Sequence, residues 1–65
     1  MNILINQRPA ELAAQATVAD AVALAGVCPP FAVAVNLQFV PNTRYAHHAL
    51  NDGDRVEIIS PVTGG

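Results

Sequence analysis

The chain contains no lysine and no tryptophan, has a single cysteine, and carries few charges. Charged side chains make up 12% of its 65 residues, compared with about 25% in an average soluble domain. The three cationic side chains are arginines and the net charge is −2, so the sequence offers no basic patch for nucleic acid or for an anionic membrane. Without lysine there is no side-chain amine for isopeptide links between copies. So few charges cannot cover the surface, and we expect an exposed apolar face that meets a partner.

Cysteine and the amino-terminal residues bear on the cellular location. Cys28 is alone and cannot form an internal disulfide, which fits a reducing compartment. Residues 1–5 have no basic residue and no long apolar stretch, so they predict neither a signal peptide nor a membrane span. We therefore expect a cytoplasmic protein. Cys28 stands before Pro29 and Pro30 without a neighbouring catalytic residue, so we interpret it as a buried or loop thiol.

Two polar patterns could indicate a metal ion. His47 and His48 are adjacent, so they point to opposite sides of an extended chain, and no cysteine or carboxylate pattern completes a zinc site. Asp52 and Asp54 resemble the start of a calcium loop, but no series of oxygen ligands follows. We interpret the histidines as surface residues and the aspartates as part of a turn. The sequence also contains no glycine-rich phosphate loop and no catalytic triad, so we expect neither a bound cofactor nor turnover by this chain alone.

Local patterns predict one domain of strands with a single helix. A helix at 11–15 is the alternative to the second strand, because alanine is frequent there. Thr17 and Asp20 can form a capping box at the start of the helix, and Gly26 is suited to its end. The predicted elements are strands at 2–6, 10–14, 31–36, 39–41 and 55–59, a helix at 18–25, turns at 7–9 and 50–54, and an irregular crossing with a turn of 3₁₀ helix at 42–50.

The order of these elements predicts an α+β fold of the β-grasp type. In it, the first and last strands lie side by side in a mixed sheet of four to five strands, and one short helix covers one face. Side chains alternate between the faces of a strand, so Val56 and Ile58 point to the core. By the same parity, Leu4 and Ile59 share the uncovered face with the alanines of the third strand.

The sequence ends in Gly64-Gly65, after an apolar segment. Glycine has no Cβ, so such a segment can thread a channel too narrow for other side chains. We expect residues 1–60 to form the domain and residues 61–65 to form a flexible tail. The carboxylate of Gly65 is a poor electrophile, but as an acyl-adenylate it can accept a thiol, an amine or inorganic sulfur. A common alternative is that terminal glycines have no function.

The whole chain resembles the ThiS-type sulfur carriers, a ubiquitin-like family of thiamine (thiazole) biosynthesis. An Asp-Gly-Asp turn, an apolar strand and a Gly-Gly end follow one another in register. Together these three motifs are more specific to the family than any one of them alone. The motifs that carry the resemblance are Asn2-Ile3-Leu4, Thr17-Val18-Ala19-Asp20, Ala34-Val35-Asn36, Phe39-Val40-Pro41, Leu50-Asn51-Asp52-Gly53-Asp54-Arg55-Val56-Glu57-Ile58 and Pro61-Val62-Thr63-Gly64-Gly65.

The resemblance implies a co-substrate and not an enzyme. A ubiquitin-activating-like (ThiF-type) partner would use ATP to adenylate the chain, a persulfide would supply sulfur, and the thiocarboxylate would serve a thiazole synthase (ThiG-type). It implies these roles for residues: Gly65 as the site of adenylation and of the thiocarboxylate, Gly64 and Thr63 in the channel of the partner, and Leu4, Ile59, Pro61 and Val62 in the docking surface.

The chain also departs from the family pattern. The family often has Asn-Gly at the second hairpin and an arginine directly after Val-Pro. This chain has Asn36-Leu37 at the hairpin, and its arginine is displaced to Arg44. Leucine tolerates positive φ poorly, so we do not expect a tight type I′ turn there. Two alternatives remain: the small subunit of a molybdopterin-synthase-like complex, disfavoured by the short helix, and a β-grasp interaction module with an incidental Gly-Gly.

Overall fold

A computed structural model describes residues 1–60, and the predictions for the five residues that follow lie outside the described part. The described chain forms a five-stranded sheet in the order β2-β1-β5-β3-β4, in which β1 and β5 are parallel and the other pairs are antiparallel. The predicted β-grasp fold is therefore confirmed. Its elements are β1 (Asn2–Ile5), β2 (Arg8–Glu11), α1 (Val18–Ala25), β3 (Ala32–Val35), β4 (Gln38–Val40), a 3₁₀ turn (Asn42–Arg44) and β5 (Arg55–Ile59).

The first hairpin differs from the sequence prediction. The turn consists of Asn6 and Gln7, both with positive φ (51° and 69°), so β2 begins at Arg8 and the predicted strand at 10–14 is wrong in its bounds. Pro9 lies inside β2, opposite Leu4. An edge strand tolerates proline, because the missing N–H can face outward. The helix considered at 11–15 is absent from the described chain.

The helix α1 has the predicted ends. The carboxylate of Asp20 accepts a hydrogen bond from the N–H of Thr17 (2.8 Å), and Gly26 ends the helix in the left-handed conformation with φ 69°. Such a residue satisfies a free carbonyl of the last turn, here that of Val22, at little steric cost. The buried residues of the helix are Val18 and Ala21, whereas Ala25 in its last turn is exposed.

The second hairpin corrects our expectation for its turn. Asn36 (φ 51°) and Leu37 (φ 69°) both have positive φ, as in a type I′ turn, although neither is glycine. The side chain of Leu37 is 87% exposed and meets no obstacle. Asn36 holds the turn through its amide, which accepts a hydrogen bond from the N–H of Arg55 and donates one to Asp54 Oδ1, both at 3.0 Å. Contacts with a distant strand therefore maintain this turn.

The turn before β5 is built from its aspartates. Asp54 Oδ2 accepts a hydrogen bond from the N–H of Asn51 (2.8 Å), and Asp52 Oδ1 accepts one from the N–H of Asn2 (2.7 Å). Gly53 has φ 88°, a conformation that favours glycine. Both carboxylates thus bond to backbone N–H groups, as expected of a turn.

The core lies between α1 and one face of the sheet. Val18, Val33 and Val56 are its largest fully buried side chains, with relative exposures of 0 to 1%. Every second residue of β1, β3 and β5 points into this core. The residues between them therefore lie on the opposite face of the sheet. The buried cluster consists of Ile3, Ile5, Val18, Ala21, Val33, Val35, Val40, Leu50, Val56 and Ile58. Among the described residues, no helix is long and apolar enough to cross a membrane.

Candidate functional site

The side of the sheet opposite α1 is uncovered by the rest of the described chain, and we call it the open face. Strand register shows which residues share it. Ile59 lies opposite Ala32, Ala34 lies opposite both Glu57 and Phe39, and Leu4 lies opposite Arg55. Residues paired across neighbouring strands project on the same side of a sheet. The pairs of β1 with β2 add Asn2, Pro9 and Glu11 on the same side. The open face therefore presents Asn2, Leu4, Pro9, Glu11, Ala32, Ala34, Phe39, Arg55, Glu57 and Ile59.

The open face is largely apolar and accessible. Ile59 is 58% exposed and Phe39 is 69% exposed, whereas Leu4, Ala32 and Ala34 are half-buried. The structure thus brings Leu4 and Ile59 to one face together with the alanines of β3, as the strand parity predicts. Large exposed apolar side chains that lie together are typical of a surface that meets a partner.

Sequence reasoning missed Phe39 as a member of this surface. Strand alternation places Phe39 on the side away from Val40, but the burial of Val40 is known only from the structure. The hairpin register was not available, since it depends on the turn at Asn36 and Leu37. With that register known, Phe39 extends the open face to the edge of the sheet at β4.

Two charges of β5 lie on the open face beside the apolar side chains. Arg55 is exposed and Glu57 is half-buried, and both line a surface depression with Leu4, Gln7 and Val56. Glu57 lies between Arg55 and Ile59 on the same side of β5. A partner that covers the β5 part of this surface must therefore accommodate one cation and one carboxylate in addition to the apolar groups.

The end of β5 sets where the chain leaves the open face. Ile59 is the last strand residue, and the exposed Ser60 follows it. On the β1 side, regular pairing stops at Ile5 and Val56. Beyond that point the side chain of Asn6 continues the contact, since its Oδ1 accepts a hydrogen bond from the N–H of Ile58 at 2.8 Å. Residues 61–65 therefore follow a strand end that is fixed from both sides.

The other residues considered for chemistry lie elsewhere. His47 and His48 line a surface depression with Thr43 and Arg44, after the 3₁₀ turn, and are not on the open face. Within residues 1–60, no three metal-ligating side chains come together. Cys28 is exposed in the segment between α1 and β3. Among the large apolar side chains that are exposed in residues 1–60, Phe39 and Ile59 lie on the open face, whereas Leu24 lies on α1 and Leu37 in the second hairpin turn.

Comparison with known proteins decides the family. The model of the ThiS family matches residues 3–65, which is nearly the whole chain. The chain belongs to the ThiS family. The resemblance found in the sequence motifs is therefore confirmed at the level of the family.

This ThiS family member is similar to a solved structure in fold and to part of a longer protein in sequence. The crystal structure of the thiamine biosynthesis protein ThiS from Geobacter metallireducens superposes with a TM-score of 0.81, over the full length of both chains and at 23% identity, which supports the same fold. A thiazole synthase from Paramagnetospirillum magneticum is 38% identical over 66 residues. That match covers the whole chain but only 20% of the thiazole synthase, so the chain spans about a fifth of the length of this curated relative.

Proposed function

We propose that this ThiS family member carries sulfur as a thiocarboxylate on Gly65. Residues 1–60 form the domain that partners recognise, and residues 61–65 form the tail that enters their active sites. The observation that carries the proposal is the open face, where exposed Ile59 ends the strand that leads directly into the Gly-Gly segment. A surface for docking and a reactive end thus follow one another along the chain.

The chemistry takes place on the α-carboxylate and uses reagents supplied by partners. A carboxylate oxygen of Gly65 attacks the α-phosphorus of ATP on a ubiquitin-activating-like, ThiF-type enzyme, and pyrophosphate leaves. The terminal sulfur of a persulfide then attacks the acyl carbon and AMP leaves, which gives an acyl disulfide. A thiol cleaves this S–S bond, so that the thiocarboxylate is released and the thiol pairs with the remaining sulfur as a disulfide.

Docking on these partners is proposed to use Leu4 and Ile59 together with Pro61 and Val62. Phe39 extends the same surface to the edge of the sheet. Gly64 and Thr63 then lie in the partner's channel, because small side chains at these positions allow close approach to the backbone. The chain itself acts as a co-substrate, and ATP is bound by the activating partner.

The acceptor of the sulfur is proposed to be a thiazole synthase of the ThiG type. The support is the thiazole synthase of P. magneticum, a fifth of which resembles this chain. Two segments that are joined in one polypeptide have a high effective concentration for each other, which favours binding between them. Docking through the open face is proposed to bring this chain and its acceptor together.

The proposal is tested by the intact mass of the protein. The purified chain is incubated with ATP, a persulfide donor, a thiol and the activating enzyme from the same cell. We expect a mass increase equal to the replacement of one oxygen by sulfur. The matched control lacks Gly65, keeps residues 1–60 and the rest of the tail, and should fold equally well by circular dichroism.

The results separate a carrier from a simple binding module. A mass increase that requires ATP and disappears on deletion of Gly65 supports the carrier. An unchanged mass, with an activating enzyme that is shown to be competent on another carrier, contradicts it. The same measurement checks that Gly65 is the last residue of the mature protein, as the proposal requires.

A further inference from the structure

The place of Asn6 in the first hairpin turn does not by itself explain why this residue is an asparagine. The turn needs only a residue that accepts φ 51°, and glycine does so at lower cost. Asparagine is used instead, and its side-chain oxygen bonds to the N–H of Ile58, 52 residues later. This contact joins the first hairpin to the end of β5, directly before Ile59 and Ser60.

The contact is the final support of β5 on the β1 side. The N–H of Asn6 donates to the carbonyl of Val56 at 2.9 Å, and the main chain then turns away into β2. The N–H of Ile58 points to the same side and has no opposing β1 residue in the register. The side chain of Asn6 therefore supplies the last hydrogen bond on this side of the strand that leads to the tail.

We infer that Asn6 is a positioning residue for the transfer chemistry: it fixes the direction in which the chain leaves the open face. The inference rests on the proposed function and adds a residue to it. A reactive carboxylate several residues beyond Ser60 is placed in a partner's site by two restraints, namely docking of the open face and the fixed end of β5. Small displacements of a reacting group lower rates strongly, by up to about a hundredfold per ångström.

The second hairpin provides a matched control. Asn36 has the same φ of 51°, is followed by a residue with the same φ of 69°, and also bonds through its Oδ1 to a β5 N–H. That N–H belongs to Arg55, at the beginning of the strand and not at its end. Asn6 and Asn36 thus accept the same kind of bond from a β5 N–H in the same kind of turn, and Asn36 also donates to Asp54 Oδ1, but only Asn6 acts next to the exit.

The test compares Asn6→Gly, Asn6→Asp and Asn36→Gly. Glycine accepts the turn conformation and removes the side-chain acceptor, whereas aspartate tolerates the conformation and keeps an acceptor. Hydrogen exchange of backbone amides should show the Ile58 amide exchanging about tenfold faster in Asn6→Gly, as loss of one hydrogen bond predicts. In Asn36→Gly the Arg55 amide should change instead, and the denaturation midpoints of both variants establish that they are folded.

The functional readout is thiocarboxylate formation with the ThiF-type enzyme, with the carrier as the varied substrate. Asn6→Gly should lower kcat by about tenfold or more with little change in KM, because the docking face is intact while the carboxylate is misplaced. Asn6→Asp should restore kcat to within about twofold of the unmodified protein, and Asn36→Gly should keep it, since neither change removes the support at the exit.

Three results overturn the inference. The first is an unchanged kcat in Asn6→Gly despite faster exchange at Ile58. The second is an equal fall in kcat for Asn36→Gly, which would show that stability and not position is at work. The third is failure of the unmodified chain to form any thiocarboxylate, which removes the proposed function together with this inference. The first two leave the proposed function intact, so the failures are distinguishable.

Discussion

Neighbouring isoleucines of β5 offer a sharp test of the open face. Ile58 is 6% exposed and belongs to the core, whereas Ile59 is 58% exposed and belongs to the open face. The variants are Ile58→Val and Ile59→Asp. They alter adjacent residues of one strand, so any difference between them reports the face and not the position along the chain.

The expected stability changes are similar for the two variants. Ile58→Val removes one buried methyl group and should lower the free energy of unfolding by about 0.5 to 1.5 kcal/mol. Ile59→Asp loses strand propensity at an exposed position, which is worth no more than about 1 kcal/mol. Both proteins should therefore remain folded with comparable denaturation midpoints in urea.

The expected effects on partner recognition differ. Full burial of an isoleucine side chain contributes about 1.5 to 3 kcal/mol, so covering the exposed part of Ile59 contributes about 1 to 2 kcal/mol. Because about 1.4 kcal/mol corresponds to a factor of ten, Ile59→Asp should raise the KM for the carrier at least about 5- to 30-fold. Ile58→Val should leave that KM within about twofold, since its side chain does not reach the partner.

The assay is pyrophosphate release by the activating enzyme at varied carrier concentration. Loss of cooperative unfolding in Ile59→Asp would place Ile59 in the core and refute the assignment of faces. A normal KM in a folded Ile59→Asp would refute the role of the open face in docking. An equal rise in KM for Ile58→Val would show that the effect follows stability and not contact.

Further predictions concern the second hairpin, the turn before β5 and the edge of the open face. Leu37→Gly should raise the free energy of unfolding by about 0.5 to 1 kcal/mol in urea denaturation, because leucine is held at φ 69° with its side chain in solvent; a fall in stability would contradict this reading. Asp54→Ala should lower it by about 1 to 3 kcal/mol, since two hydrogen bonds are lost, and an unchanged midpoint would show that water replaces them. Phe39→Ser should raise the KM for the activating enzyme severalfold at nearly unchanged stability, and a normal KM would exclude β4 from the docking surface.

The last strand and the helix could be predicted because their signals are local. Alternation of Val56, Ile58 and Ile59 gives both faces of β5, and Thr17 with Gly26 gives the ends of α1. Such patterns depend only on the period of the element and on capping chemistry. The open face could accordingly be inferred in part before its geometry was known.

The turn types and strand bounds of the hairpins could not be predicted, because the turns are stabilised from a distance. Each uses non-glycine residues at positive φ, which local propensity disfavours. The side chains of Asn6 and Asn36 bond to β5 residues that lie 52 and 19 positions away, so the compensating contacts are tertiary. As a result the bounds of β2, the type of the second turn and the place of Phe39 emerged only with the structure.

The central claim is most directly tested by locating the sulfur within the chain. Trypsin cleaves after arginine, and the sequence has no lysine, so cleavage after Arg55 releases residues 56–65 as one peptide. That peptide contains neither methionine nor cysteine, so oxidation of Met1 or Cys28, which has almost the same mass effect as exchange of oxygen for sulfur, falls on other peptides. We predict that after ATP-dependent activation the mass change lies in this peptide, and that fragment ions of the peptide place it on Gly65. A change confined to the peptides that contain Met1 or Cys28 would contradict the account.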